Sequence, residues 1–252
     1  MLLTMTMAMT LATLLSCVVA WVALQWDAAE VELTEGLKTT ISTITGFFMF
    51  ASAFLAVNAL DNLSDARNAL YAEAGALREA YWAAGELPEQ EKTEVRKQLR
   101  DYAQLVISDE WPKMNPQGVS KISWAPLDGV RESLLAAQKK QGNDSSTARR
   151  QMDMRIHELY DARRMRLAEA TRGLPQPMVV VMVALGALTL LLASFTARPA
   201  SKVQWLLLAI GAAVFGSIIN LIIELDYPYS GHIQIDPSSY ERALRRFREI
   251  GL

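Results

Sequence analysis

Charged residues are absent from four long stretches of the chain, at residues 1–26, 39–60, 173–197 and 203–223. At ~1.5 Å of rise per helical residue, each stretch is long enough to cross the ~30 Å hydrocarbon core of a bilayer. The pattern therefore predicts four transmembrane helices. The first stretch lacks a basic start and is longer than the apolar core of a signal peptide, so a retained span is favoured over a lipoprotein box ending at Cys17.

The polar segments between the stretches have helical rather than alternating patterns. Residues 61–86 continue the second stretch without a break, with apolar residues at helical spacing. Proline and acidic residues at 88–91 are typical of a helix start, and further helical patterns occupy 126–140 and 147–172. The sequence predicts an all-α integral membrane protein, in which a cytosolic helical domain is inserted between spans two and three.

The predicted boundaries are 1–63 for spans one and two, 64–172 for the helical domain, 173–225 for spans three and four, and 226–252 for a polar cytosolic tail. Within ~20 residues of the span ends, eleven basic residues lie on the side of the helical domain and three lie on the opposite side. By the positive-inside rule, we expect both termini and residues 64–172 in the cytoplasm of a cell whose plasma (inner) membrane holds the spans.

Composition argues against nucleic-acid binding and against enzyme chemistry. The 25 Lys and Arg residues against 27 Asp and Glu residues leave a net charge of -2, which gives no bulk basic field for nucleic acid. His157 lies between Asp153 and Asp161 on one helix face, but a solvated face is favoured over a metal site because further ligands are missing. We therefore predict no catalytic residue, no cofactor and no metal.

Aromatic residues follow one face of the second span. Phe47, Phe50, Phe54 and Val57 stand at i, i+3, i+7 and i+10, and two polar residues continue the pattern at Asn58 and Asp61. Repeated around an oligomer axis, such a face would form a hydrophobic constriction that opens by wetting. The alternative is a face that packs against other spans or lipid, and spacing alone favours that alternative.

Four short motifs accompany this architecture. They are Glu73-Ala74 after span two, Leu87-Pro88, Glu110-Trp111-Pro112, and Asp226-x-Pro228-Tyr229-x-Gly231 directly after span four. Together with the order of spans, they resemble the bestrophin-like membrane proteins, a bacterial family, over nearly the whole chain. Because Trp111 and Tyr229 stand beside proline-set turns, we expect both side chains to be buried anchors.

The resemblance implies a function. Resemblance to the bestrophins implies a homo-oligomeric, pentameric channel that conducts anions such as chloride and has a hydrophobic neck on the second span. This favours the stripe at Phe50, Phe54 and Val57 as the neck, with basic residues near the inner membrane face attracting anions at the vestibule, namely Arg163, Arg164, Arg166 and Arg172. Topology alone also accounts for those arginines. The alternative function is a non-conducting scaffold or sensor that binds partners through its helical domain.

The sequence departs from true bestrophins after span four. Their calcium clasp carries a dense acidic run, whereas only Glu224, Asp226 and Asp236 stand in this region. Calcium takes 6–8 oxygen ligands, so we do not expect calcium gating. Proline and glycine favour a structural turn from Asp226 to Gly231.

Overall fold

The computed structural model describes residues 35–114, 124–141, 147–196, 202–229 and 233–250. The described residues form helices and no strand. The first predicted span and Gly231 lie outside them. The α-helices are α1 (Glu35–Ala83), α2 (Glu89–Leu105), α3 (Ala125–Gln141), α4 (Thr147–Thr171), α5 (Gln176–Thr196), α6 (Lys202–Leu225) and α7 (Ser238–Ile250). The all-α prediction is confirmed for these residues.

Helix α1 is a single element of 49 residues. It contains no proline, and its apolar residues keep helical spacing from the uncharged stretch into the polar one, as the sequence predicts. Two stretches are long and apolar enough to cross a membrane, within Lys38–Glu86 and within Thr147–Ala193, and α6 contains a shorter apolar segment, Ala209–Leu225.

The chain divides by its contacts into two compact units. The first unit comprises Met1–Asp61 and Gly173–Asp226, and we call it the apolar unit. The second comprises Asn62–Arg172 and Tyr227–Leu252, and we call it the helical unit. Helix α1 contributes residues to both.

In the apolar unit, α5 packs against α6, and Phe48 of α1 is buried. The Phe48 ring stacks on Phe215 of α6 with 4.3 Å between ring centroids. A Cβ atom at Gly186 would lie 3.0 Å from the Phe48 ring. Glycine therefore lets α5 approach this ring closely, which is the usual role of small residues between apolar helices.

In the helical unit, α2 packs against α3 and α7. The sequence pattern predicted a polar tail at residues 226–252, and the structure corrects this prediction, because part of that segment forms helix α7. Tyr240, Ala243 and Phe247 are buried at i, i+3 and i+7, and Phe247 stacks on Tyr81 of α1 with 3.9 Å between centroids. Asp236 caps the helix, since its Oδ1 accepts a hydrogen bond from the Ser238 backbone nitrogen at 2.8 Å.

Candidate functional site

The apolar unit carries an exposed apolar stripe on α1, which we call the neck stripe. Its members are exposed to 60% at Phe47, 72% at Phe50, 45% at Phe54 and 57% at Val57. The opposite side of the same helix is buried at Phe48, Leu55 and Ala59. Because the buried side already packs against the unit, the neck stripe remains uncovered by the part of the chain that the structure describes, as expected of a face toward lipid, a pore or another copy.

Polar groups continue the neck stripe toward the helical unit along the sequence. Asn58 donates its side-chain amide to the Phe54 carbonyl oxygen of the same helix at 2.8 Å. This bond satisfies one amide donor within the helix, which makes an asparagine tolerable beside an apolar face. Asp61 follows as an exposed carboxylate.

The helical unit holds a buried ion-pair cluster of four residues, Glu73, Glu110, Arg163 and Arg166, each with a fully buried side chain. Helix α1 supplies Glu73, and α4 supplies both arginines at i and i+3, which lie on one helix face. The Glu73 carboxylate accepts hydrogen bonds from Arg166 Nε and from the Tyr102 hydroxyl. It also lies 3.7 Å from Arg163 Nη1.

A π-helical turn at Val106–Glu110 brings Glu110 into the cluster. Its two oxygens accept separate hydrogen bonds, from Arg163 Nη2 at 2.5 Å and from Arg166 Nη2 at 2.5 Å. Arg163 Nη1 donates in addition to the Tyr102 hydroxyl at 2.9 Å. Two carboxylates and two guanidinium groups sum to zero charge, so the cluster is neutral as a whole.

The electrostatics keep Glu110 and both arginines ionised. Burial alone would raise the pKa of Glu110, but Arg166 and Arg163 outweigh it and hold that pKa below its ordinary value. Burial alone would lower the pKa of Arg166, but the carboxylate of Glu73 and its other neighbours raise it well above the ordinary value. Burial and Glu73 raise the pKa of Tyr102, so this hydroxyl keeps its proton and donates.

Aromatic rings enclose the cluster. The Arg163 guanidinium lies 4.4 Å from the ring centroid of Trp124, and that of Arg166 lies 5.7 Å from Trp111 and 5.9 Å from Tyr240. Such cation–π contacts exclude water and stabilise the cations. The arrangement is chemically inert, because charges that are neutralised and sealed from solvent hold helices together rather than bind a solute.

The motifs on either side of α4 meet in the helical unit. The Trp111 indole nitrogen donates to the Ile235 carbonyl oxygen at 3.2 Å, and its ring lies edge-on to Tyr229 at 5.4 Å. The Tyr229 hydroxyl donates to the Ala66 carbonyl oxygen at 2.9 Å. The predicted burial is confirmed for Tyr229, which is 5% exposed, whereas Trp111 is only partly buried.

Pro112 and Pro228 set the turns beside these anchors. Pro112 occupies the second position of the 3₁₀ turn Trp111–Lys113, and the Pro228 carbonyl accepts from the Ile235 nitrogen at 2.8 Å. In the apolar unit, Asp226 Oδ1 accepts a hydrogen bond from the Leu174 nitrogen at 2.7 Å, just before α5. Asp226 therefore stabilises the start of α5 rather than the segment that follows Asp226. Within the described residues, no group of three or more His, Cys, Asp or Glu side chains is placed to hold a metal ion.

The sequence profile of the Bestrophin-like domain matches residues 10–240. The chain belongs to the bestrophin-like family. No curated protein sequence matches the chain.

Crystal structures support this assignment at the level of the fold. Two variants of a bacterial bestrophin homologue from Klebsiella pneumoniae are similar to this chain. One is 15% identical with a TM-score of 0.74 and 98% coverage of both chains. The other is 14% identical with a TM-score of 0.71, covering 97% of this chain and 99% of that chain. A third structure, described as a membrane protein, is 13% identical with a TM-score of 0.72 and 98% coverage of both chains.

In this bestrophin-like chain, the vestibule interpretation needs correction at two arginines. Arg163 and Arg166 are fully buried and paired with Glu73 and Glu110, so they present no charge to solvent. The reason is that α4 turns these two positions toward α1 and the π-helical turn. Spacing on α4 does not reveal this, because carboxylates far along the chain decide which arginines are buried.

The other two arginines are exposed, and each has a carboxylate nearby. Arg164 pairs with Asp161 at 2.5 Å. Arg172 lies 3.4 Å from Asp65 and 3.3 Å from Glu169. Their net attraction for anions is therefore weaker than four unpaired arginines would provide.

The ion-pair cluster is not visible in the sequence as a unit. Glu73 and Glu110 are present as motif residues, and Arg163 and Arg166 as basic residues, but no sequence signal joins them. The available signal was the motif itself, because a glutamate beside Trp111 and another within an apolar helical stripe are unusual positions for solvated charges.

Proposed function

We propose that this protein is an oligomeric bestrophin-like ion channel, with the neck stripe as its hydrophobic constriction. The observation that carries the proposal is the exposure of four large apolar residues on one face of α1, opposite a buried face. Family membership and the bestrophin fold suggest a channel and not an enzyme. The described residues of a single copy leave the neck stripe uncovered, and a ring of copies would bring several such stripes around one axis.

The proposed architecture uses four spans. Residues 1–63 and 173–225 form the membrane portion, 64–172 forms a helical domain in the cytoplasm, and 226–252 joins that domain. In this proposal the chain is a multi-pass protein of the plasma membrane, and both of its termini are cytoplasmic. The apolar unit and the helical unit follow nearly the same division of the chain.

For the permeant ion we propose an anion such as chloride, in a pentamer, on the basis of the resemblance. Of the four vestibule arginines predicted from the sequence, Arg164 and Arg172 support this part of the proposal, because these two are exposed. Because both have carboxylate neighbours, replacing the two by glutamine should shift the reversal potential only modestly toward cations. An unchanged reversal potential would assign both arginines to membrane topology alone.

The neck is tested by conductance of the full chain in planar bilayers. Phe54→Ala should raise basal conductance, because a dewetted constriction depends on the size and apolarity of its side chains. Met49→Ala is the matched control, because Met49 is 62% exposed on the same helix but lies off the stripe. Equal effects of the two substitutions would contradict the neck assignment. Absence of current from folded oligomers would instead favour the scaffold that binds partners through its helical domain.

The topology is tested by cysteine labelling in cells, after Cys17 is replaced by serine. Glu35→Cys should react with a membrane-impermeant maleimide applied from outside, because Glu35 is exposed at the start of α1. Arg246 is also exposed, and Arg246→Cys should react only after the membrane is permeabilised. The opposite pattern would refute the orientation.

A further inference from the structure

A surface pocket of about 250 Å³ opens on the helical unit, and none of its lining residues belongs to the neck stripe or is one of the four residues of the buried cluster. Two helices and the residue before α3 form it, and its lining consists of Trp124, Arg131, Ile156, His157, Tyr160 and Arg164. Among the described residues, the lining contains two arginines, the rings of Trp124 and Tyr160, and no carboxylate. Such a set of side chains matches a solute that is both negatively charged and flat.

The aromatic wall of the pocket is held in position from behind. Trp124 and Tyr160 are stacked, with 5.6 Å between ring centroids and an angle of 27°. Arg163 of the buried cluster lies against Trp124 at 4.4 Å, and the Tyr160 hydroxyl donates to Asp128 Oδ1 at 2.5 Å. Both rings are therefore fixed before any ligand arrives, which lowers the entropic cost of binding.

The two arginines provide the positive charge. Within the part of the chain that the structure describes, Arg131 has no carboxylate at ion-pair distance. Arg164 pairs with Asp161 through one guanidinium nitrogen, and its other N–H donors remain for a ligand. His157 directs its Nδ1 to the Asp153 carbonyl oxygen at 2.8 Å, which leaves its other ring nitrogen for a polar contact.

We propose that this pocket binds a small organic anion that carries a flat ring. The ring lies against Trp124 and Tyr160, and the anionic group accepts hydrogen bonds from Arg131 and Arg164. The volume of about 250 Å³ limits the ligand to one or two rings with a carboxylate or a phosphate. Guanidinium groups bind either anion with two parallel hydrogen bonds, so the ring and the charge define the ligand class.

Titration calorimetry on the purified protein tests this binding without requiring ion conduction. The probes are benzoate and adenosine 5′-monophosphate, which differ in size and in the type of anion. Their matched controls are benzyl alcohol and adenosine, which keep the ring without the charge, and inorganic phosphate, which keeps the charge without the ring. At least one probe should bind saturably, and each control should bind about tenfold more weakly or not at all.

The pocket is identified by paired variants. Arg131→Gln should weaken probe binding about tenfold or more, whereas Arg150→Gln, which removes an exposed arginine from α4 outside the pocket, should leave it unchanged. Trp124→Leu should also weaken binding, and Tyr160→Phe should retain it because the ring remains. Circular dichroism of each variant separates lost binding from lost folding.

Three results would overturn the proposal. The first is no saturable binding of either probe up to ~10 mM, a concentration that detects even very weak affinity. The second is equal binding of the charged probes and the uncharged controls. The third is an equal effect of Arg131→Gln and Arg150→Gln in folded protein, which would place the bound anion elsewhere.

Discussion

Replacing Glu110 by glutamine should be among the most destabilising single changes in the helical unit. The substitution keeps the shape of the side chain and removes its charge. The buried cluster then holds Arg163 and Arg166 against Glu73 alone, so that one positive charge is left without compensation in a site that excludes water. Removal of one member of a buried ion pair is much more costly than the pair is stabilising.

The magnitude follows from the contacts of Glu110. It accepts one hydrogen bond from each arginine, both at 2.5 Å. Hydrogen bonds to charged groups contribute about 1.5–3 kcal/mol each, and breaking a buried ion pair costs about 3–5 kcal/mol. We therefore expect the free energy of unfolding to fall by about 3–5 kcal/mol, which corresponds to a decrease of roughly 6–20 °C in Tm for a chain of this size.

The assay is thermal unfolding of the full chain in detergent, followed by tryptophan fluorescence. The matched control is Glu158→Gln, the same chemical change on α4 in a carboxylate that is exposed and pairs with Arg155 at 2.8 Å. This control should leave Tm unchanged, because exposed ion pairs contribute little. The double variant Glu110→Gln with Arg163→Met restores neutrality and should be more stable than the sum of its single changes implies. Equal shifts for Glu110→Gln and Glu158→Gln, or strict additivity in the double variant, would refute the reasoning.

Two further predictions concern acid and the motif at Tyr229. The pKa of Glu110 is lowered in the folded protein. The stabilising effect of its carboxylate is therefore complete above the ordinary pKa and is lost as the pH falls through the lowered pKa. The Tm difference between wild type and Glu110→Gln should be constant from about pH 8 to about pH 5 and shrink below about pH 4. A Tm difference that decreases above pH 5 would contradict this assignment. Tyr229→Phe removes the buried hydrogen bond to the Ala66 carbonyl and should lower the free energy of unfolding by about 1–2 kcal/mol, measured in the same assay, whereas Tyr227→Phe changes an exposed ring and should have no effect.

The sequence predicted those parts of the fold that depend on local pattern. The start of α2 after Pro88, the continuity of α1 beyond residue 61 and the helices α3 and α4 all follow from periodicity and from turn-forming residues near their ends. Helix α7 was missed because its apolar stripe at Tyr240, Ala243 and Phe247 is short and surrounded by arginines, which made the segment resemble a solvated tail.

Candidate sites were predicted less completely, for a physical reason. The neck stripe is visible in the sequence because its members share one helix. The ion-pair cluster joins α1, the π-helical turn and α4; Glu73 and Glu110 are 37 positions apart in the sequence, and Glu110 and Arg163 are 53 positions apart. Charge alone gives Arg163 and Arg164 the same expected exposure, although the structure buries the first and exposes the second. Only the tertiary position of the carboxylates distinguishes them.

The π-helical turn at Val106–Glu110 makes the length of this segment as important as its composition. A π turn accommodates one more residue than an α-helical turn, and one residue rotates a helix by about 100°. Deleting Ser108 would therefore keep every residue of the Glu-Trp-Pro motif but rotate Glu110 and Trp111 away from the side chains that they contact. When related sequences are aligned or this protein is redesigned, the number of residues before Glu-Trp-Pro is thus as informative as the motif itself. A variant that keeps the motif but gains or loses a residue before it should be treated as one that has lost the cluster.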